Sequence, residues 1–353
     1  MNKSDELPDT MDVIEISKSG GPEALVLATR PVPEPAAGQV LIKVAAAGVN
    51  FPDVMQRRGH YPPPPGASDI PGLEVAGTVA ALGNGVSELA VGNEICALVA
   101  GGGYAAFCTA PVPQCLSIPQ NFDMVTAAAI PETFFTVWTN LFDRGKLKAG
   151  ETVLIHGGSG GIGSAAIMTA HAMGARVFAT ARTREKCAVC HNIGAERAIN
   201  YVDEDFVAIV EEETNKRGVD LIIDIVGGDY TERNLSALAM EGRLVQVAVQ
   251  GGAKPQVPLF TIMQKRITLT GSTLRARAVA EKGAIANALR ENIWPRFESG
   301  EIKPLVHTTL PLAQAAEADC VALGARLEEA AGRVIEVVQR RREAAAGGTS
   351  LSR

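Results

Sequence analysis

Short apolar runs, alternating or β-branched and cut by glycine and proline, fill the first third of the chain. Residues 13–16, 24–30, 39–49 and 74–83 are the clearest. Runs of this length predict strands, and their punctuation predicts a compact β-barrel-like unit from Met11 to about Pro131. From Glu132 to Thr273 the pattern changes. A strand over 152–157 leads into a helix over 161–174. Strands over 176–181, 196–201, 219–227, 243–249 and 267–272 then alternate with helices over 184–193, 205–216 and 230–240. These strands are nearly continuous apolar runs, which suits strands covered on both faces. The region therefore predicts an α/β unit with a doubly wound parallel sheet, the Rossmann arrangement. Beyond it, residues 276–297 read as a helix. Residues 307–312, a helix around 313–327 and a strand over 333–339 form a mixed tail that returns to the first unit.

Composition narrows what such a chain does. Glycine makes up 36 of 353 residues, about one in ten against a usual ~7%, while proline, at 20, is near its usual share. That excess disfavours fibres and linkers and favours close backbone approaches of the kind nucleotide sites need. With 33 basic against 39 acidic residues, the chain carries net charge −6. A phosphate-tracking nucleic-acid binder wants a basic surface and stacking aromatics, and aromatics here are only 5%. The start, MNKSDELPDTMD, lacks the apolar core of an export signal, so a cytoplasmic protein with reduced thiols is expected. The uncharged stretch 95–122 holds Gly101-Gly102-Gly103, Pro111, Pro113 and Pro119, too many helix breakers for a membrane span. Cys187-Ala-Val-Cys190-His191 spells a haem-attachment pattern. It lies in a predicted helix of an unexported chain, so neither haem nor zinc is expected there.

One motif carries chemistry. The strand Val153-Leu154-Ile155 runs into His156-Gly157-Gly158-Ser159-Gly160-Gly161-Ile162-Gly163 and then a helix rich in small residues. Gly158, Gly160 and Gly163 fit G-x-G-x-x-G in its strand-before, helix-after context. Gly158 is expected to permit the tight turn, Gly160 to let the backbone approach a pyrophosphate, and Gly163 to let the helix pack on the strand. The helix N-terminus adds free N–H groups and partial positive charge. Ser159, Gly161 and Ile162 fall in the same cradle. Where NAD sites carry an acid at the end of the second strand, this chain continues Arg182-Thr183-Arg184-Glu185-Lys186. Arg182, Thr183 and Lys186 suit a 2′-phosphate, so NADPH is the expected cofactor.

Residues 47–61, AGVNFPDVMQRRGHY, followed by 71–77, PGLEVAG, resemble the medium-chain dehydrogenase/reductase superfamily. Within it the chain is similar to the quinone oxidoreductase family of the zeta-crystallin type. Residues 55–68, 101–107, 127–142 and 269–277 resemble the branch that includes the apoptosis-associated human quinone reductase. The resemblance runs from Met11 to about Val338. It implies a GroES-like β-rich catalytic domain over 11–133 plus 274–340, and a Rossmann NADP(H)-binding domain over 134–273. Flexible termini over 1–10 and 341–353 complete the expected layout. Where the zinc alcohol dehydrogenases of the superfamily hold catalytic zinc through Cys and His, this chain has Asn50 and Leu73. Cys96, Cys108 and Cys115 do not have the spacing of the structural zinc lobe, so no metal is expected.

Without a Lewis acid, a quinone is an easier hydride acceptor than a simple carbonyl. The resemblance implies NADPH-dependent quinone reduction by hydride, in some cases net one-electron, transfer. It places Asn50 near nicotinamide and substrate and Thr136 at the carboxamide. Gly160, Gly161 and Ile162 would line the pyrophosphate, with Lys186 and Tyr201 at the 2′-phosphate. Val247, Ala248 and Val249 would flank the nicotinamide together with Ser272, Thr273 and Leu274. Met55 stands where zeta-crystallin proper often has Tyr, which leaves Tyr61 as a candidate proton donor; Asp53 is as readily structural. The alternative acceptors are an enal or an enoyl or acryloyl thioester, for which Arg57, Arg58, Arg275 and Arg277 could supply a basic groove. A non-catalytic NADPH- or RNA-binding role is the remote alternative. A small-molecule substrate, no membrane, no primary nucleic-acid partner and a homodimer are expected, with residues 267–270 as a plausible pairing edge.

Overall fold

The computed structural model describes residues 7–324 and 332–336, and in it the first hydrophobic pattern, joined by the tail, becomes a two-stranded hairpin and a seven-stranded sheet and the second a six-stranded sheet. Residues 1–6 and the expected tail over 341–353 lie outside the described residues, as do the ends of the last predicted helix and strand. Strands β1 (Thr10–Ile16) and β2 (Leu25–Pro31) pair as an antiparallel hairpin. Five more strands follow: β3 (Gln39–Val49), β4 (Glu74–Leu82), β5 (Glu94–Leu98), β6 (Phe107–Pro111) and β7 (Cys115–Ser117). All their pairings are antiparallel. Between β3 and β4, where the pattern marks no element, Phe51–Arg57 form the short helix α1 with Pro52 in its first turn, where a missing N–H costs nothing.

Helices α2 (Met124–Ala128) and α3 (Pro131–Trp138) lead to the six-stranded sheet, and α3 widens into a π-helical stretch over Thr139–Arg144. The sheet then alternates with helices. Its elements are β8 (Thr152–Ile155), α4 (Gly161–Ala172), β9 (Arg176–Ala181), α5 (Arg184–Asn192), β10 (Arg197–Asn200) and α6 (Phe206–Glu213). They continue with β11 (Val219–Asp224), α7 (Tyr230–Ala237), β12 (Leu238–Gln246), α8 (Leu259–Lys265) and β13 (Thr268–Gly271). All six strands are parallel, in the order β10-β9-β8-β11-β12-β13. The order therefore reverses between β8 and β11, the place where open α/β sheets bind ligands.

Alternate residues explain the continuous apolar runs. Val153, Ile155, Leu221 and Ile223 join one core cluster, with Ala165, Ala166 and Leu289. Leu154, Ile222 and Leu244 join another, with Phe206, Val210 and Leu235. Both faces of the sheet are thus buried.

Two expected boundaries move. The helix expected over 230–240 stops at Ala237 because Leu238 pairs with Val219 and begins β12. The helix expected over 276–297 is two, α9 (Val279–Asn292) and α10 (Trp294–Glu298). Pro295 cannot donate the hydrogen bond that would continue the first. Strands β14 (Val306–Pro311) and β15 (Gly332–Glu336) then carry the chain back, β15 pairing antiparallel with β3, and α11 (Ala315–Gly324) lies between them.

Candidate functional site

A cavity of about 850 Å³ runs between the two larger sheets, from the glycine turn after β8 to the segment after β3. Its first wall is backbone. Gly157 has φ +69 and makes the tight turn, a role the motif assigns to Gly158. Gly158 instead packs inward: a Cβ there would lie 2.8 Å from Ala179 Cβ and 2.9 Å from Cys190 Sγ. Gly158 does not line the cavity, so it supports the cradle from behind. Gly163 is closed off in the same way, since a Cβ would run into the Gly157 carbonyl oxygen and stand 2.7 Å from Gly158 Cα. Gly160 and Gly161 differ. A Cβ on Gly160 would meet one atom at 3.4 Å and one on Gly161 a single methyl at 3.5 Å. Gly160 has φ −81, which any residue adopts. Packing explains Gly158 and Gly163; it does not explain Gly160 and Gly161, which line the cavity with Ser159, Ile162 and Gly163 at the N-terminus of α4. Backbone open to a cavity at a helix N-terminus is the surface a pyrophosphate needs.

The turn is held from below. The buried His156 ring lies 2.7 Å from Asn234 Oδ1 and 3.0 Å from the Thr180 hydroxyl. Asn234 Nδ2 donates to Asp224, which also accepts the N–H groups of Val226 and Gly227. Burial pulls His156 below its ordinary pKa, which keeps it neutral and able to donate and accept at once. The carboxyl ends of β8, β9 and β11 are therefore locked together beside the cavity.

At the far end the cavity is lined by Arg182, Lys186 and Tyr201. Lys186 is buried, Tyr201 exposed. Thr183 does not line it: its hydroxyl caps α5, accepting the Lys186 N–H at 3.3 Å. The reason for that cap is local, because the helix start needs an acceptor there. Val247, Ala248, Val249, Ser272, Thr273 and Leu274 all line the cavity, as do Asn50, Tyr61 and Thr136. The Ser272 hydroxyl donates to Asn140 Oδ1 at 2.8 Å, and Asn140 Nδ2 donates to the Thr136 carbonyl, which ties the β13 end to α3.

The second wall holds two carboxyls that motif reading did not single out, Glu74 and Glu132. Glu74 Oε1 accepts Asn50 Nδ2 at 2.7 Å and its Oε2 accepts the Glu132 N–H at 2.8 Å. Glu74 and Glu132 both line the cavity. Burial, with the neighbouring carboxylates, pushes each up to about 8. Asp53, pushed up to about 6 by burial, accepts from Asn50 N–H, Gly72 N–H and the Tyr104 hydroxyl, so it braces the segment. Arg275 donates to Gln56 Oε1 at 2.7 Å and to the carbonyls of Ala100 and Tyr61. The signal that could have found Glu132 is plain: it is the lone charge in residues 124–142.

Among the described residues no three His, Cys, Asp or Glu side chains are grouped to hold a metal, and Leu73 is buried. Cys187 and Cys190 are buried free thiols. No described helix is long and apolar enough to cross a membrane.

Two family profiles match the chain: an alcohol dehydrogenase GroES-like domain over residues 36–120 and a zinc-binding dehydrogenase over 161–290. The quinone oxidoreductase of Rattus norvegicus is 32% identical over 310 residues, covering 87% of this chain and 92% of that one. A mycobacterial protein solved complexed with NADPH is 31% identical, with TM-score 0.82, covering 92% of this chain and 100% of that one. The CurK enoyl reductase is 27% identical, with TM-score 0.82, covering 94% and 100%.

Proposed function

This chain belongs to the quinone oxidoreductase family of the medium-chain dehydrogenase/reductases, and on that premise we propose that its cleft passes hydride from NADPH to a quinone without zinc. That it is an oxidoreductase of this superfamily with a nicotinamide cofactor follows from the family; NADPH and the quinone are the proposal. The observation that carries it is the continuity of one cavity from the open glycines to Asn50 and Tyr61. A donor laid along the first wall faces an acceptor held at the second, and proximity then supplies much of the rate.

When bound, the nicotinamide supplies the hydride. The protein's own residues do the rest. Gly160, Gly161, Ile162 and the α4 N-terminus hold the pyrophosphate. Arg182 and Lys186, with Tyr201, hold the 2′-phosphate at a strand end that carries no acid. Thr136, Val247, Ala248, Val249, Ser272, Thr273 and Leu274 fix the nicotinamide ring, and Asn50, oriented by Glu74, borders the acceptor. On this reading residues 11–133 and 274–340 are the catalytic domain and 134–273 the cofactor domain. A homodimer would form at the β13 edge, beside which Leu259, Phe260 and Met263 of α8 are exposed.

An enoyl thioester is the second reading, favoured by the likeness to enoyl reductases. The basic groove it needs is weakened here. Arg57 is buried in an ion pair with Asp319 at 2.7 Å, and Arg275 is spent on protein acceptors. The deciding experiment is NADPH oxidation against an acceptor panel. Turnover of 1,2-naphthoquinone and related quinones is expected. Silence there, with turnover of crotonyl-CoA, would transfer the assignment to the thioester.

A further inference from the structure

The acceptor wall contains a carboxyl that the fold does not use. Asp53 and Glu74 each accept hydrogen bonds that hold backbone or Asn50 in place. Glu132 contributes its backbone N–H to that array, but its carboxyl forms no hydrogen bond or ion pair among the described residues, and it lines the cavity. Two cations stand near enough to act on its charge, and both are committed elsewhere. Lys282 Nζ donates to the Arg275 carbonyl at 2.7 Å, and Arg275 points its guanidinium at Gln56, Ala100 and Tyr61. A carboxyl half-buried on a cavity wall, braced through its own backbone and left without a partner, loses part of its hydration and secures no contact in return. It is positioned to meet something that enters the cavity.

We propose that Glu132 is the proton donor of this cleft, its carboxyl giving its proton to the atom of the acceptor that gains negative charge as the hydride arrives: the oxygen of a quinone, or the α-carbon of an enoyl thioester reduced at its β-carbon. The proposal rests on the reading of the cleft as a hydride-transfer site. For a quinone the balance is complete: the hydride brings two electrons and one proton, and the nicotinamide is oxidised by two electrons. Glu132 supplies the second proton. Its O–H bond breaks as the acceptor O–H bond forms, the electron pair stays on the carboxylate, and water at the cavity mouth restores the acid.

The groups around Glu132 favour this use. Burial first and then Asp53 from α1 oppose its ionisation, while Lys282 from α9 and Arg275 ahead of α9 favour it only partly, so it stands at about 8. Glu74 from β4, which faces it, is itself held protonated in part by the Glu132 charge. An acid in that range is still protonated near neutral pH and gives its proton readily. Tyr61, on the same cavity, is pushed above the ordinary phenol value by burial and by Glu132 itself, which makes it the poorer donor.

The test compares wild type with Glu132→Gln, Glu132→Asp and Tyr61→Phe on whichever acceptor the wild type reduces fastest, quinone or crotonyl-CoA, across pH. In the wild type kcat should fall as pH rises through about 8. Glu132→Gln should lower neutral-pH kcat about 100-fold and remove that limb, leaving the NADPH Kd unchanged. Glu132→Asp should recover part of the rate and a displaced limb. Independently of turnover, infrared spectra of the ligand-free protein should show un-ionised carboxyls at neutral pH that titrate near 8, from Glu74 and Glu132, and the intensity of that band should drop in Glu132→Gln to the Glu74 share alone. An unchanged rate in Glu132→Gln, loss of the limb in Tyr61→Phe instead, or no such drop in the carboxyl band would each overturn the proposal. Failure of every quinone would sink only the quinone reading, since the variants and the infrared titration still judge Glu132.

Discussion

The two walls of the cleft are built on opposite principles. The phosphate wall is one contiguous segment, β8 through the start of α4, and it works by leaving side chains out. The acceptor wall is assembled from α1, β4, α3 and the segment before α9, and it works by burying ionisable groups. Asn50 and Glu74 lie 24 residues apart, Glu74 and Glu132 58, and Gln56 and Arg275 219. Backbone dipoles at a helix end need no long-range support to attract an anion, whereas a buried carboxyl has its character only from what the rest of the fold places around it. The first wall is therefore set by local chemistry and the second by tertiary contacts.

The largest effect that separates them is expected within the glycine turn itself. Gly163→Val drives a branched side chain into the Gly157 carbonyl and Gly158 Cα. It should cost about 3 kcal/mol or more and abolish NADPH binding, read by thermal unfolding and cofactor titration. Gly160→Ala meets no close atom. Its stability should change by less than about 0.5 kcal/mol while NADPH affinity falls. Equal losses of stability in the two variants would break the distinction between glycines that serve packing and glycines that face a ligand.

A smaller effect concerns the end of the cavity beyond that segment, where Lys186 of α5 lines it. Lys186→Ala should weaken NADPH binding about tenfold, or about 1.4 kcal/mol, with little change for NADH. Equal loss for both cofactors would mean that the lysine does not meet a 2′-phosphate.

The smallest concerns the acceptor wall. Glu132 has a folded-state pKa of about 8 against an ordinary 4.5. Between those values the folded protein holds a proton that the unfolded chain has released, so stability falls as pH rises through this window and is fully retained below it. Glu132→Gln should flatten that decline, raising the melting temperature relative to wild type by a few degrees at pH 9 and hardly at pH 5. A parallel pH dependence in the two proteins would show that Glu132 is ionised at neutral pH.

Much of this was legible from local pattern. The strand-glycine-helix motif located the cradle, the missing acid after β9 pointed to Arg182 and Lys186, and the apolar runs of β8 and β11 announced a sheet covered on both faces. Local reading failed where another part of the chain competes. Gly157 rather than Gly158 turns the backbone, because Gly158 is needed flat against Ala179 and Cys190. Thr183 caps its own helix, because an open helix start takes the nearest acceptor. Arg57 and Arg275, which look like surface cations in the sequence, are buried by partners far along the chain.

Periodicity and glycine spacing thus determined by themselves the α/β class, the parallel sheet and the glycine turn that opens on the cavity, since each depends on residues a few positions apart. The tertiary structure alone decided which carboxyls are braced and which is left over in the cleft. Burial, neighbouring charge and spent donors come from segments that meet only when the chain has folded, and those are what make Glu132 an acid rather than a surface carboxylate.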